Sequence, residues 1–228
     1  MAATTRAAGR LRILRWWAAD YVYAVYWQLR GALSRTDPDT FHSGHRAPIV
    51  VIPGIWESWR FMQPLITSMH ERGHPVHVVR LLNLNNRPVV EAAKHVDAYI
   101  GEHALQGVTL VAHSKGGLIG KYVMIHGDSA TRIRGMLAVA APFQGSLYAR
   151  FMPLASLRIF SPKNAVITAL ALDELVDARI VSVFGRFDPH IPSGSRLRGA
   201  KNVELDTGGH FRVLAHPRVL AELALLTE

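Results

Sequence analysis

The chain has 228 residues, of which 49% are hydrophobic and 19% charged, a globular composition long enough for one domain with a sizeable core and unlike disordered, collagen-like or fibrous chains. A formal net charge of +9 attracts anionic partners such as phospholipid head groups, whereas nucleic-acid binding would rest on charge alone and is not expected. The absence of cysteine excludes disulfide frameworks, zinc–thiolate sites and thiol nucleophiles.

Residues 1–46 form a first region that is basic, alanine-rich and aromatic, holding Trp16, Trp17 and Trp27 of the five tryptophans. A helical wheel puts Leu14, Trp17, Ala18, Tyr21, Val25, Leu29 and Ala32 on one face and Arg12, Arg15, Ala19, Tyr26 and Arg30 opposite. That pattern predicts an amphipathic helical extension with aromatics suited to a membrane interface and arginines suited to anionic lipid. Packing on the rest of the chain, or on a second protomer, is the alternative, and no oligomeric state follows. The uncharged run from Trp16 is cut at Asp20, short of the roughly 20 apolar residues that a span requires. No clean hydrophobic stretch leads to a small-residue cleavage site, so a cytoplasmic location, peripheral at the membrane at most, is expected.

From Ala47 to Glu228 short apolar runs alternate with helical patterns, which predicts βαβ units and a mostly parallel sheet flanked by helices. In chain order, strands are expected at 48–52, 76–82, 108–112, 135–141, 180–184 and 202–205. Helices are expected at 57–72, 89–103, 116–126 and 216–227, the second opening after Pro88. Residues 144–175 break the rhythm: Phe151, Met152, Leu154, Leu157, Ile159 and Phe160 are interrupted by Pro153 and Pro162.

The third strand runs into Ala112-His113-Ser114-Lys115-Gly116-Gly117 and then a helix. A serine hydroxyl needs a base to become a nucleophile, so it must stand exposed where a histidine reaches it. A sharp strand-to-helix turn exposes it but tolerates only small residues two before and two after, here Ala112 and Gly116. The same turn leaves the Lys115 N–H at a helix start, where it can stabilise an oxyanion. This segment resembles the nucleophile elbow G-x-S-x-G of the α/β-hydrolase family, with Ala112 for the first glycine.

The resemblance implies an α/β-hydrolase fold over roughly 47–228, with a short apolar cap at about 144–175, and assigns further roles. Val51-Ile52-Pro53-Gly54-Ile55-Trp56 is similar to the segment of lipases that supplies the second oxyanion donor, by position the N–H of Ile55, with Trp56 the alternative. The strand at 180–184 leads to Asp188, the expected acid, in preference to Asp173, Asp177 and Asp206. Asp206-Thr207-Gly208-Gly209-His210 supplies the base His210. Of the other histidines, His190 is too close to Asp188, His113 should point away from the attack face, and His42, His45, His74 and His77 are expected on the surface. Ala141-Pro142-Phe143-Gln144-Gly145-Ser146 resembles the stretch after the fourth strand in lipase-like members. Trp56, Phe143, Phe151 and Leu154 are expected to contact an acyl group.

The whole looks like the small lipase and esterase branch, without cofactor or metal: an esterase acting on lipid-like acyl esters through an acyl-enzyme. A thioesterase or acyltransferase with the same residues, or an idle fold serving as a lipid-binding module, are the alternatives.

Overall fold

Five largely apolar runs and one of mixed polarity become strands: β1 (Ile49–Ile52), β2 (Val76–Val78), β3 (Val108–His113), β4 (Ile133–Val139), β5 (Ile180–Phe187) and, the mixed one, β6 (Lys201–Gly208). The computed structural model describes residues 2–151 and 154–228, without the side chains of 2–8, 10, 150, 155 and 156. All described strands pair in parallel in the order β2-β1-β3-β4-β5-β6. From β1 the chain goes first to β2 on one side and then to β3 on the other. The crevice between the loops after β1 and β3 is therefore a topological switch point, where parallel sheets bind ligands.

Helices α1 (Ala2–Leu33), α2 (Gln63–Glu71), α3 (Val89–Glu102), α4 (Lys115–His126), α5 (Ala155–Arg158), α6 (Ala165–Leu172) and α7 (Pro217–Thr227) surround the sheet. Alternate strand residues face opposite layers, as the pleat requires. Val50, Ile52, Leu110, Ala112, Met136 and Ala138 pack with residues of α3, α4 and α6. Ile49, Val51, Val111, Leu137, Val139 and Val183 pack with α2 and α7, and Tyr23, Ala24 and Trp27 of α1 join them.

Several expected boundaries move for physical reasons. Helix α2 starts at Gln63, after a 3-10 turn at Trp59–Met62, because Pro64 lacks an N–H and fits only a first helical turn. The second strand ends at Val78, and Arg80–Leu82 is a 3-10 turn. Strands β5 and β6 outrun their apolar cores because their ladder continues to the Phe187–Gly208 pair.

One expectation is corrected and another narrowed. On α1 the inward face is Trp16, Asp20, Tyr23, Trp27 and Gly31, whereas Leu14, Trp17, Tyr21, Val25 and Leu29 are exposed, so of the two uses expected for that stripe, packing on this chain is not the one seen. Close approach to the sheet and its loops selects glycine, aromatic edges and one hydrogen-bonded carboxylate over the most apolar stripe. His74 and His77, expected on the surface, are buried. The His74 ring bonds the Ala47 carbonyl at 2.9 Å, and that of His77 lies among His42, Tyr99 and His103. No helix among the described residues is long and apolar enough to cross a membrane.

Candidate active site

Ser114 stands between β3 and α4 with φ 51° and ψ −120°, a strained conformation for a residue with a Cβ. The strain is held by its surroundings. Its N–H donates to the Val139 carbonyl at 2.9 Å, and its carbonyl accepts from Gly117 at 3.0 Å. A Cβ on Gly116 would lie 2.2 Å from the Ile52 carbonyl oxygen, and one on Gly117 would lie 2.4 Å from the Ala141 Cβ. Both glycines let α4 lie against β1 and β4 immediately behind the serine. The buried Ala112 needs no more room than its methyl.

The Ser114 hydroxyl lies 2.9 Å from His210 Nε2, and His210 Nδ1 lies 2.8 Å from Asp188 Oδ2. A carboxylate only accepts, so Nδ1 carries the ring proton and Nε2 is free to accept from the serine. Asp188 follows β5, and its Oδ1 accepts the N–H groups of His190 at 2.8 Å and Ile191 at 3.0 Å. Burial alone would raise the Asp188 pKa, but the His210 ring and these donors outweigh it and hold the carboxyl below its ordinary value. For His210, burial favours the neutral ring, yet the Asp188 carboxylate, with Glu57 and Asp20 further off, leaves the pKa above the usual 6.5.

The N–H of Trp56 is taken by the Leu84 carbonyl at 2.6 Å. Ile55 N–H carries no such bond among the described residues, so of the two donors expected on this loop it is the one left unbonded. The Lys115 side chain is buried and reaches the other way: Nζ donates to the Asn85 carbonyl at 2.7 Å and to that of Arg87, while Asn85 Nδ2 donates to the Pro53 carbonyl at 2.6 Å. Burial lowers the Lys115 pKa to about 8. One residue thus offers its amide to the site and its ammonium to the loop that braces Trp56.

Three contributors were not legible as site residues. Glu57 Oε2 accepts the Gly54 N–H at 2.8 Å and faces His113 Nδ1 at 2.8 Å, and His113 Nε2–H donates to the His210 carbonyl at 3.0 Å. His113 does point away from the attack face, as expected, but its ring then bridges Glu57, which bonds the Gly54 N–H, to the backbone of His210. Asp20, from α1, accepts the N–H groups of His210, Phe211 and Arg212, each at 2.8 Å. Its one sequence signal is that it is the sole acidic residue before Asp37.

Ser114 and His210 open onto a cavity of about 250 Å³, lined largely by apolar groups including Ile55, Trp56, Pro142, Leu157, Phe160, Ile191 and Phe211. Of the residues expected to contact an acyl group, Trp56 lines it. Phe143 does not: it is 1% exposed and packs behind the elbow near Gly117. Phe151 and Leu154 are exposed and do not line it either, because the 3-10 turn Leu147–Phe151 directs Tyr148 and Ala149 to the cavity instead. The insert at 144–175 still walls the site, through Ser146, Tyr148, Ala149, Leu157 and Phe160. Met152 and Pro153 lie outside the described residues. Asp177 is buried against Lys121 at 2.5 Å, and Asp206 is paired with Arg186 at 3.0 Å. Among the described residues, no group of three or more His, Asp or Glu is placed to hold a metal.

No protein-family profile matches the sequence, and no curated protein sequence matches it. Solved structures do. A mature lipase from Bacillus licheniformis is 16% identical over 86% of this chain and 95% of its own, with a TM-score of 0.64. An α/β-hydrolase fold protein from Burkholderia ambifaria is 16% identical over 80% and 91%, with a TM-score of 0.57. An enol-lactonase from Burkholderia xenovorans is 14% identical over 81% and 93%, also at 0.57. Identities this low speak for architecture and not for chemistry. The parallel six-stranded sheet, its flanking helices and this likeness agree that the chain has the α/β-hydrolase fold.

Proposed function

We propose that the protein is a serine hydrolase that cleaves carboxylic esters with an apolar acyl group through an acyl-enzyme. The observation that carries this reading is the hydrogen-bonded chain from Asp188 through His210 to Ser114, ending in a largely apolar cavity. His210 Nε2 takes the hydroxyl proton as Ser114 Oγ attacks the ester carbonyl. The amides of Ile55 and Lys115 hold the oxyanion, and Asp188 stabilises the imidazolium. His210 then gives its proton to the departing alcohol. Water attacks the acyl-serine with its proton taken by His210, the acid leaves, and Ser114 regains its proton.

The apolar lining of this cavity of about 250 Å³ suits an acyl chain better than a polar acid or a sugar. The test is a series of p-nitrophenyl esters of rising chain length, wild type against Ser114→Ala. Hydrolysis that fails on every ester sinks the reading, and hydrolysis that survives Ser114→Ala sinks the site.

We also propose that the exposed stripe of α1 rests on an anionic lipid surface. Leu14 and Leu29 are each 61% exposed, with Trp17 and Val25 between them and Arg12, Arg15 and Arg30 exposed on the same helix. The stripe adjoins the cavity rim: Tyr21 bonds His190 at 3.1 Å, and Gln28 donates to the Trp56 carbonyl at 3.1 Å. Flotation with phosphatidylglycerol vesicles, wild type against a Leu14→Ser/Val25→Ser/Leu29→Ser variant, tests it. Binding that the variant loses supports the proposal. Binding that the variant keeps, or that neutral vesicles match, overturns it, as does an oligomer that the variant dissolves with no vesicle binding.

A further inference from the structure

A carboxylate with no accessible surface sits in the middle of α1. Asp20 is 0% exposed, on a helix whose preceding turns carry arginines, and a buried carboxylate is costly unless hydrogen bonds replace its water. The N–H groups of three successive residues do so, His210 to Oδ2 and Phe211 and Arg212 to Oδ1, each at 2.8 Å. Charge-assisted bonds of this length are the strong kind. The first of the three donors is the backbone of the proposed base itself.

The glycines before that base fit the same contact. A Cβ on Gly208 would lie 2.5 Å from the Trp16 ring, and one on Gly209 would lie 2.5 Å from Asp20 Oδ1. Gly209 also has φ +122°, open to few other residues. Thr207-Gly208-Gly209-His210 is therefore shaped to receive α1, one turn of which supplies both Trp16 and Asp20.

We infer that Asp20 is a positioning residue for the reaction: from the N-terminal helix it holds the 209–212 loop so that the His210 ring meets Ser114 and Asp188 together. This rests on the proposed ester hydrolysis. It makes α1 part of the active site, so its removal would disturb the base along with any lipid contact.

Of the other groups facing His210, His113 holds its backbone carbonyl at 3.0 Å and the rest face its ring; among the described residues none of them takes its backbone N–H. From the acid loop, Asp188 bonds Nδ1 and the His190 ring lies 4.8 Å away, its pKa lowered to about 4 by burial. From β3 the His113 ring lies 5.1 Å away and carries Glu57 behind it. On α1, Tyr21 reaches His190, and within the loop Arg212 turns back to Thr207. Asp20 alone among the acids holds the loop amides.

The test is Asp20→Asn, with kcat and KM on the best p-nitrophenyl ester and the His210 pKa followed by NMR of its ring protons. The amide keeps the shape but offers one acceptor oxygen for three donors and no charge. We expect kcat to fall by up to about 100-fold with KM within about threefold, the cost of a slightly misplaced base. The His210 pKa should fall, since a negative charge near the ring is gone. Gly208→Ala, which pushes on Trp16 from the loop side and keeps the Asp20 charge, should lower kcat at similar KM by a smaller factor, and the two should combine to less than their sum. It also serves if Asp20→Asn folds poorly. Trp27→Ala, which loosens α1 away from the loop, should lower Tm and leave the His210 pKa alone.

A folded Asp20→Asn with unchanged kcat overturns the inference, whatever its His210 pKa, since the loss of charge alone lowers that pKa. So does a Trp27→Ala that reproduces both changes, for then helix docking in general is responsible. Should the wild type hydrolyse no ester, the hydrolase reading fails, and the NMR comparison still decides whether Asp20 sets the state of His210.

Discussion

The two halves of the candidate site are held in place by different means. Ser114 is fixed by backbone: a strained turn bonded to Val139 and backed by Gly116 and Gly117, which let α4 meet β1 and β4. His210 is fixed by side chains from elsewhere, Asp20 of α1 from one side and His113 with Glu57 from the other. The first arrangement needs only neighbouring strands of the same sheet. The second brings together residues 190 positions apart. A nucleophile held by the sheet is as rigid as the sheet, whereas a base held by side chains is adjustable through them.

The largest change is expected on the nucleophile side. Gly116→Val places methyl groups where the Ile52 carbonyl already stands, and should cost about 3 kcal/mol or more and abolish hydrolysis. Thermal melts decide it; a variant that folds and works at wild-type rate would mean that the elbow is not backbone-locked.

On the base side Glu57→Gln should do less. A single proton lies between Glu57 and His113, whose other ring nitrogen must donate to the His210 carbonyl. With a neutral amide there, His113 either carries an unbalanced charge or gives up a bond, a loss of about 1–3 kcal/mol. We expect kcat/KM about 10-fold lower, near 1.4 kcal/mol, with the protein still folded. An effect as large as that of Gly116→Val on both folding and rate would erase the distinction between the halves.

The pH profile reports the base side without mutation. His210 works only when neutral, and its pKa is raised, with burial opposing and Asp188, Glu57 and Asp20 prevailing. Activity should be lost as pH falls, with a midpoint above the ordinary 6.5. A midpoint at or below that value would remove the electrostatic part of the account.

The smallest effect is on stability. His77 and His190 have pKa values lowered to about 4, chiefly by burial. The unfolded chain therefore binds more protons between about 6.5 and 4, and stability present above that window is lost as pH falls through it. Tm should drop from about pH 7 to about pH 5, and less so in His77→Phe. A Tm flat across that range rejects this origin of acid sensitivity.

Much of the architecture was legible in the sequence, because it rests on local patterns. Apolar runs near Ile49, Val108 and Ile180 made strands and Gly116 and Gly117 marked a tight turn, while Ser114, Asp188 and His210 were picked out through the resemblance to the α/β-hydrolases and lie within hydrogen-bond reach of one another. Details set by packing were not. Phe143 reads as a contact residue but fills the core, while Tyr148 and Ala149 reach the cavity because of the phase of one short turn. The α1 wheel gave an amphipathic helix but could not say which stripe faces inward, since an aromatic stripe with one aspartate scores as less apolar than its neighbour.

By itself, then, the sequence determined the alternation of strands and helices and the residues at the strand ends, because periodicity and turn chemistry act over a few neighbouring positions. Only the tertiary structure decided that Asp20 and His113, with Glu57 behind it, bond the backbone of His210 and that the N-terminal helix lies against its loop. A hydrogen bond between residues far apart leaves no local trace beyond a lone acid, or a glycine kept free of a Cβ for a partner that arrives from the other end of the chain.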